Sequence, residues 1–295
     1  MTNSMDKIRR LPCWKGAVDP QPLGGGITNH NYVVEDQSGK YVVRFGEDIP
    51  VHHVMRFNEL AASHAAFEAG ISPEVVFNSQ GILVMRFIEG ICFDEVAVRQ
   101  QHNLERILPL LKRVHRELPN YFRGPALVFW VFHVIRDYVA TLRRAKHQPH
   151  GAGELGWLLE MAAELETAVG QIDLVFGHND LLAANFMDDG KRLWLIDWDY
   201  AGYNSPLFDL GGLVSNSGLG SDSENWLLEQ YFEQPVTDEL YRKYAAMKCA
   251  SLLRETLWSM VSEVHSDIDF DFRQYTRDNL VKFKQQLLAF QKVSK

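Results

Sequence analysis

The most constraining feature of the 295-residue chain is two short apolar runs that each end in acid or amide. Val175-Phe176-Gly177 leads into the polar turn His178-Asn179-Asp180, which continues to Asn185. A second apolar run, Leu193-Trp194-Leu195-Ile196, ends at Asp197. A strand-bounded loop of this kind places Asp180 and Asn185 at the mouth of a cleft, and the following strand delivers Asp197 to the same mouth. Asp and Asn are common in turns because they hydrogen-bond their own backbone. Turn chemistry alone does not call for a third oxygen ligand on the next strand. Two carboxylates and an amide oxygen at one place suit Mg²⁺, a hard cation often held by one or two carboxylates together with substrate phosphates.

The spacing His-x-Asp-x4-Asn, completed by Asp197, has the form of a phosphoryl-transfer loop. In such a loop the Asp receives a substrate hydroxyl proton, while the Asn and the later acid hold metal. Together with Ile196-Asp197-Trp198-Asp199-Tyr200-Ala201-Gly202-Tyr203-Asn204 and Phe208-Asp209-Leu210-Gly211, the chain resembles the choline/ethanolamine kinase family. The resemblance is to its bacterial LicA-type branch, within the aminoglycoside-phosphotransferase and protein-kinase-like superfamily. It implies an α+β, two-lobed kinase-like fold, with a small β-rich lobe over residues 1–88 and a larger, mainly helical lobe over 89–295. It also implies ATP and Mg²⁺ as cofactors. Asp180, Asn185 and Asp197 are the expected catalytic residues, with Asn185 and Asp197 on the metal. Asp209 is expected to fix the loop that carries them.

Upstream, Pro22-Leu23-Gly24-Gly25-Gly26-Ile27-Thr28-Asn29-His30-Asn31-Tyr32 runs from a glycine cluster into a strand. Asp36-Gln37-Ser38-Gly39 turns the chain and Tyr41–Phe45 returns it, a hairpin pattern. Glycines ahead of a strand let backbone amides approach phosphates. The resemblance extends to this loop through Leu23, Gly25, Gly26, Thr28, Asn29, Asn31 and Tyr32, and makes those from Gly25 to Asn31 nucleotide-binding. Arg44 stands where kinases carry a phosphate-binding cation, and an arginine fork can bind phosphate bidentately. Residues 53–69 have helical periodicity, and Glu59 on that helix is the expected partner of Arg44. A second hairpin, 74–77 with 82–87, completes a five-element lobe. Residues 87–90 form the hinge, whose backbone is expected to meet an adenine edge.

Beyond residue 91 the pattern turns helical: 104–118, 131–144, 154–169, 226–232, 238–264 and 272–290. Pro109 is expected to kink the first of these or mark its start. The scattered histidines read as surface or core residues and not as ligands. At the N-terminus, Ile8, Leu11 and Trp14 are expected to pack on the first sheet.

The acceptor site is implied by resemblance to the choline-lining segment. Trp258 and Tyr275 supply ring faces for a cation, Tyr200 faces the substrate, and Asp199 either faces the substrate or supports Asp197. The family pattern is broken in three places. Glu255 replaces a pocket tryptophan of the eukaryotic enzymes, Asn216 a pocket acid, and Leu182 a polar residue. The expected reaction is transfer of the γ-phosphoryl of ATP to a small cationic alcohol, choline or ethanolamine. Thiamine, an aminoglycoside or another amino alcohol are alternative acceptors. A catalytically silent binding scaffold would be expected to lack one of the three key side chains, and all are present.

Composition sets outer limits. Hydrophobic residues make up 46% and charged residues 23% of the chain, ordinary for a globular protein. A net charge of −8 argues against a nucleic-acid surface. Cys13, Cys92 and Cys249 form no CxxC pair, so neither a disulfide framework nor a zinc site is expected. The opening Met-Thr-Asn-Ser-Met-Asp lacks a basic flank and apolar run, and no apolar stretch is long enough to span a bilayer. A cytoplasmic monomer or homodimer is the expectation, with no nucleic-acid partner and no membrane insertion.

Overall fold

The computed structural model describes residues 2–24, 30–146 and 150–293. A short helix α1 (Thr2–Arg9) precedes β1 (Gln21–Leu23), β2 (His30–Asp36) and β3 (Gly39–Phe45). Then come α2 (Arg56–Glu68), β4 (Val75–Ser79) and β5 (Ile82–Arg86). The strands make one antiparallel sheet in the order β1-β2-β3-β5-β4. Side chains alternate faces along a strand, so Tyr32 and Val34 of β2, Tyr41 and Val43 of β3 and Val84 of β5 share one buried face. Ile8 of α1 joins that cluster, and Leu11 and Trp14 pack on its edge, as the sequence predicted. The Asp36 carboxylate accepts the Ser38 N–H at 2.7 Å, which closes the β2–β3 turn.

The sheet ends at Arg86, and the chain passes into the second lobe across residues 87–90. That lobe contains β6 (Ile91–Cys92), α3 (Glu95–Val98), α4 (Gln101–Arg116), α5 (Val131–Arg144) and α6 (Ala152–Val169). Next are β7 (Val175–Gly177), β8 (Phe186–Asp188), β9 (Leu193–Leu195) and β10 (Gly202–Asn204). The chain finishes with α7 (Pro206–Ser217), α8 (Ser221–Phe232), α9 (Asp238–His265) and α10 (Phe272–Val293). The two-lobed α+β architecture is the expected one.

Helix α9 is the axis of the larger lobe. Its middle, from Tyr244 to Ser262, is buried on nearly every side, and α5, α6, α7 and α10 pack around it. A helix apolar on all faces is stable only when enclosed in this way. A Cβ at Gly211 of α7 would lie 2.8 Å from the Lys248 Cα, so glycine is what allows α7 to touch α9. On the other side of the site, Ala62, Ala65 and Ala66 of α2 belong to the large C-terminal core and not to the sheet's own cluster. These small side chains seat α2 against the second lobe.

One expectation needs correction. Pro109 does not start its helix: α4 begins at Gln101 and runs to Arg116 with the proline inside it. An interior proline costs about 3 kcal/mol. Leu104, Ile107, Leu108, Leu110, Leu111 and Val114 are all buried on that helix, and each buried aliphatic side chain is worth about 1.5–3 kcal/mol. Burial on both sides of the proline therefore wins. Strand β1 and the small sheets of the second lobe were not individually foreseen. Among the described residues, no helix is long and apolar enough to cross a membrane.

Candidate active site

Two small sheets hold the polar loops. β7 pairs antiparallel with β10, and β8 pairs with both β6 and β9. The loop 178–185 therefore emerges between β7 and β8, and the loop 196–201 between β9 and β10. Cross-bonds tie the loops together. His178 Nε2 donates to the Ile196 carbonyl at 3.0 Å, and the Ile196 N–H donates to the Asn185 carbonyl at 3.0 Å. The His178 ring packs on Trp198, and burial lowers its pKa, which keeps it a neutral structural residue.

Asp209, near the start of α7, anchors the first loop from beneath. Its Oδ2 accepts the His178 N–H at 2.8 Å and its Oδ1 the Asn179 N–H at 2.7 Å. His115 Nε2 on α4 also donates to Asp209 Oδ2, at 3.0 Å. Burial pushes this carboxyl up, but the His115 hydrogen bond, the two imidazoles and the backbone N–H outweigh it and hold Asp209 below the usual carboxylate range. Asn179 is turned into the left-handed region (φ 64°), where its amide reaches the Tyr200 and Gly202 carbonyls at 3.0 and 3.1 Å. A Cβ at Gly177 would come within 2.9 Å of Asn179 Oδ1 and 3.2 Å of Asp209 Oδ2, so this anchor requires glycine.

Above the anchor lies a cleft of about 590 Å³ between the lobes, lined in part by Asp180, Asn185, Asp197 and Asp199. The predicted triad thus faces one space. Asn185 Nδ2 donates to the Asp180 carbonyl at 2.9 Å, which leaves its Oδ1 toward the cleft. Asp197 also has a positive φ, 69°, an uncommon conformation for a non-glycine residue that concentrates at functional positions. Its side chain is 36% exposed. Burial pushes the Asp180 carboxyl up to about 8, with Glu255, Asp197 and Asp199 adding to the shift and Arg254 opposing it. A base with a pKa near the working pH is suited to proton transfer.

Behind Asp197 sits a buried charge cluster. Arg44 Nη1 lies 2.8 Å from Glu59 and 3.1 Å from Asp197, and its Nη2 is bonded to Asp199. Arg56 Nη1 lies 2.7 Å from Glu59 and 2.8 Å from Asp199. Burial works against the Arg44 charge, but Asp197, Asp199 and Glu59 more than offset it and hold the arginine protonated. The expected Arg44–Glu59 pair is present, and Asp199, which lines the same cleft, gives its carboxylate to two arginines, one of which also holds Asp197. Two cations against Glu59, Asp197 and Asp199 leave this cluster with one excess negative charge. Among the described residues there is no group of three His, Cys, Asp or Glu side chains that could cage a metal. Asn185 and Asp197 alone supply an amide oxygen and one carboxylate, a donor set suited to Mg²⁺ that also takes phosphate oxygens.

One end of the cleft is apolar, with Val42, Met85, Met187 and Ile196 around the 87–90 crossing. Asn31 also faces it, and its buried Oδ1 has no hydrogen-bond partner among the described residues. Gly25, Gly26, Thr28 and Asn29 lie outside the described residues. At the other end, Trp258 and Tyr275 stand with ring centroids 6.3 Å apart and planes at 83°. Trp258 Nε1 donates to the Tyr200 hydroxyl at 3.0 Å.

Arg254 is the residue that the sequence reading missed. It is buried on α9, with Nη1 4.0 Å from Asp180 Oδ1 and 3.0 Å from Glu255 Oε2, and its guanidinium lies 4.3 Å over the Tyr200 ring. The available signal was the Arg254-Glu255 pair set between the apolar residues Leu252-Leu253 and Leu257-Trp258, since a buried cation needs a nearby anion. His115 was likewise passed over.

The family model described as choline/ethanolamine kinase matches residues 21–227, more than two thirds of the chain. The LicA protein of Haemophilus influenzae is 26% identical over 262 residues, covering 87% of this chain and 76% of that protein. Mouse ethanolamine kinase 2 is 27% identical over 311 residues, covering 94% and 78%. The crystal structure of choline kinase LicA from Streptococcus pneumoniae superposes with a TM-score of 0.77 at 23% identity, covering 98% of this chain and 97% of that one, which shows the shared fold. The extent of the family match, over a cleft with this chemistry, establishes that the chain belongs to the choline/ethanolamine kinase family and is an ATP-dependent small-molecule kinase.

Proposed function

We propose that the protein phosphorylates the hydroxyl of choline or ethanolamine, with Asp180 as the base and Asn185 and Asp197 as the Mg²⁺ ligands. The observation that carries this reading is that all three side chains line one inter-lobe cleft with an apolar end and an aromatic, acidic end. The relatives named LicA and ethanolamine kinase support the acceptor class.

Asp180 takes the hydroxyl proton as the acceptor oxygen attacks the γ-phosphorus and the bond to the departing ADP breaks, and Asp209 and His115 hold its loop in place. Asn185 and Asp197 would hold Mg²⁺, which would neutralise charge on the phosphates. Glu59 and Asp199 fix Arg44, which in turn fixes Asp197. Arg44 Nε is buried with no hydrogen-bond partner among the described residues, and it is a donor open to a phosphate oxygen. The backbone of residues 87–90, with Val42 and Met85, receives the adenine, and Asn31 lines the same cleft. Trp258, Tyr275 and Tyr200 line the acceptor end. We place the lobe boundary between 88 and 89 and the protein in the cytoplasm, where ATP is plentiful, as a monomer or homodimer.

Coupled detection of ADP with Mg·ATP tests the reading. ADP release is expected to depend on added choline or ethanolamine and to be absent with thiamine or kanamycin. Turnover with kanamycin or thiamine alone would overturn the acceptor assignment.

A further inference from the structure

The acceptor end of the cleft holds a second carboxylate that the chemistry above does not use. Glu255 follows Arg254 on α9 and lines the same cleft as Asp180, Tyr200, Trp258 and Tyr275. Its Oε1 accepts the Tyr275 hydroxyl at 2.8 Å and its Oε2 accepts Arg254 Nη1 at 3.0 Å. A carboxylate offers about four acceptor positions, so these bonds orient the group without exhausting it. Its side chain is 21% exposed.

Charge points the same way. Arg254 Nη1 stands between Asp180 Oδ1, at 4.0 Å, and Glu255 Oε2, at 3.0 Å. One guanidinium therefore serves two carboxyl groups, and Glu255, the nearer of them, keeps acceptor positions open to a cation in the cleft.

The rings are less available than their number suggests. Trp258 is only 6% exposed. His52 packs on it at 5.2 Å and Phe272 at 5.9 Å, and its N–H is spent on Tyr200. Phe270 packs against Tyr275 at 5.7 Å. A quaternary ammonium has no N–H and depends on open ring faces. A protonated amine donates hydrogen bonds, and a carboxylate acceptor makes them charge-assisted.

We propose that Glu255 is the specificity-determining residue of the acceptor site and selects an amino alcohol that carries N–H on its cationic nitrogen over its fully methylated counterpart. The inference rests on the acceptor reading above and refines it: the hydroxyl lies at Asp180, the ammonium donates to Glu255, and Arg254 keeps the two carboxylates apart.

The test is the series ethanolamine, N-methylethanolamine, N,N-dimethylethanolamine and choline, each assayed for kcat/KM at saturating Mg·ATP. The wild-type enzyme is expected to favour ethanolamine over choline by about 10- to 100-fold, the effect of one hydrogen bond to a charged group. The sharpest drop is expected at the last methyl, where the final N–H disappears. In Glu255→Gln the ethanolamine-to-choline ratio should fall toward one, chiefly through the KM for ethanolamine. In Glu255→Asp, which keeps the charge, the preference should persist. A wild-type preference for choline, or a ratio unmoved by Glu255→Gln, overturns the assignment while leaving the kinase reading intact. Absence of turnover across the whole series removes the acceptor reading itself, and this inference with it.

Discussion

Replacing Asp180 with asparagine is expected to lower kcat by about 10²–10⁴-fold, the usual contribution of a positioned general base. Asparagine has nearly the same shape, so it fits the turn between β7 and β8 and leaves the cleft unchanged in outline. It cannot take the hydroxyl proton. It also removes the negative charge that faces Arg254 at 4.0 Å, and Glu255 remains as that arginine's closer partner. The loop should stay in place, because its anchors are the His178 and Asn179 N–H groups on Asp209 and not the Asp180 carboxylate. Calorimetric binding of Mg·ADP should accordingly survive in the variant while turnover collapses. Wild-type turnover in Asp180→Asn would show that proton transfer is handled elsewhere.

The second large effect is on stability. Arg44→Met keeps an unbranched apolar stem and removes the cation that three carboxylates share. Glu59 and Asp199 are almost fully buried, with side-chain exposures of 4% and 6%. Removing one partner from a buried ion pair costs about 3–5 kcal/mol, and Arg56 remains as the only other cation of the cluster. The pH dependence has a definite sign. Burial already raises the Glu59 pKa, with Arg44 opposing the rise, so losing Arg44 raises it further. The folded variant then binds more protons than the unfolded chain, and its stability increases as pH falls through the raised pKa. Denaturant unfolding at neutral and mildly acidic pH should show the deficit relative to wild type shrinking toward acid. A deficit that is small or grows toward acid would contradict the proposed role of Arg44 at the centre of the cluster.

Much of the arrangement was legible because the chemistry is local in sequence. Asp180 and Asn185 share one loop, and Asp197 follows on the next hairpin, so their convergence needs only three short strands. The Arg44–Glu59 pair was legible for a related reason: β3 and α2 are neighbours in the chain. The course of α9 was legible as a long helix over 238–264, one residue short of its observed end. What escaped notice depends on contacts between distant segments. Arg254 lies 74 residues beyond Asp180, on a helix whose pattern says only that it is buried. The bond from His115 to Asp209 joins α4 to α7, and no spacing rule links them. Of the two readings of Pro109, the helix start is excluded because propensity is local, whereas the buried face that carries α4 through the proline is tertiary. The contacts of Asp199 with arginines from β3 and α2 likewise join distant segments.

Asp197 and Asp199 also show how a turn sorts two nearby acids. Asp197, at a positive φ, turns its carboxylate to the open cleft, while Asp199 lies buried against Arg44 and Arg56. Identical side chains two residues apart are thus given separate tasks by backbone conformation alone.

The most direct measurement is a crystal structure of the protein with Mg²⁺, a non-hydrolysable ATP analogue and ethanolamine. Asn185 Oδ1 and an Asp197 carboxylate oxygen are expected at about 2.0–2.1 Å from the metal, with the Asp180 carboxylate about 2.6–3.2 Å from the ethanolamine hydroxyl. A metal held by other residues, or an acceptor hydroxyl bound out of reach of Asp180, would contradict the assignment.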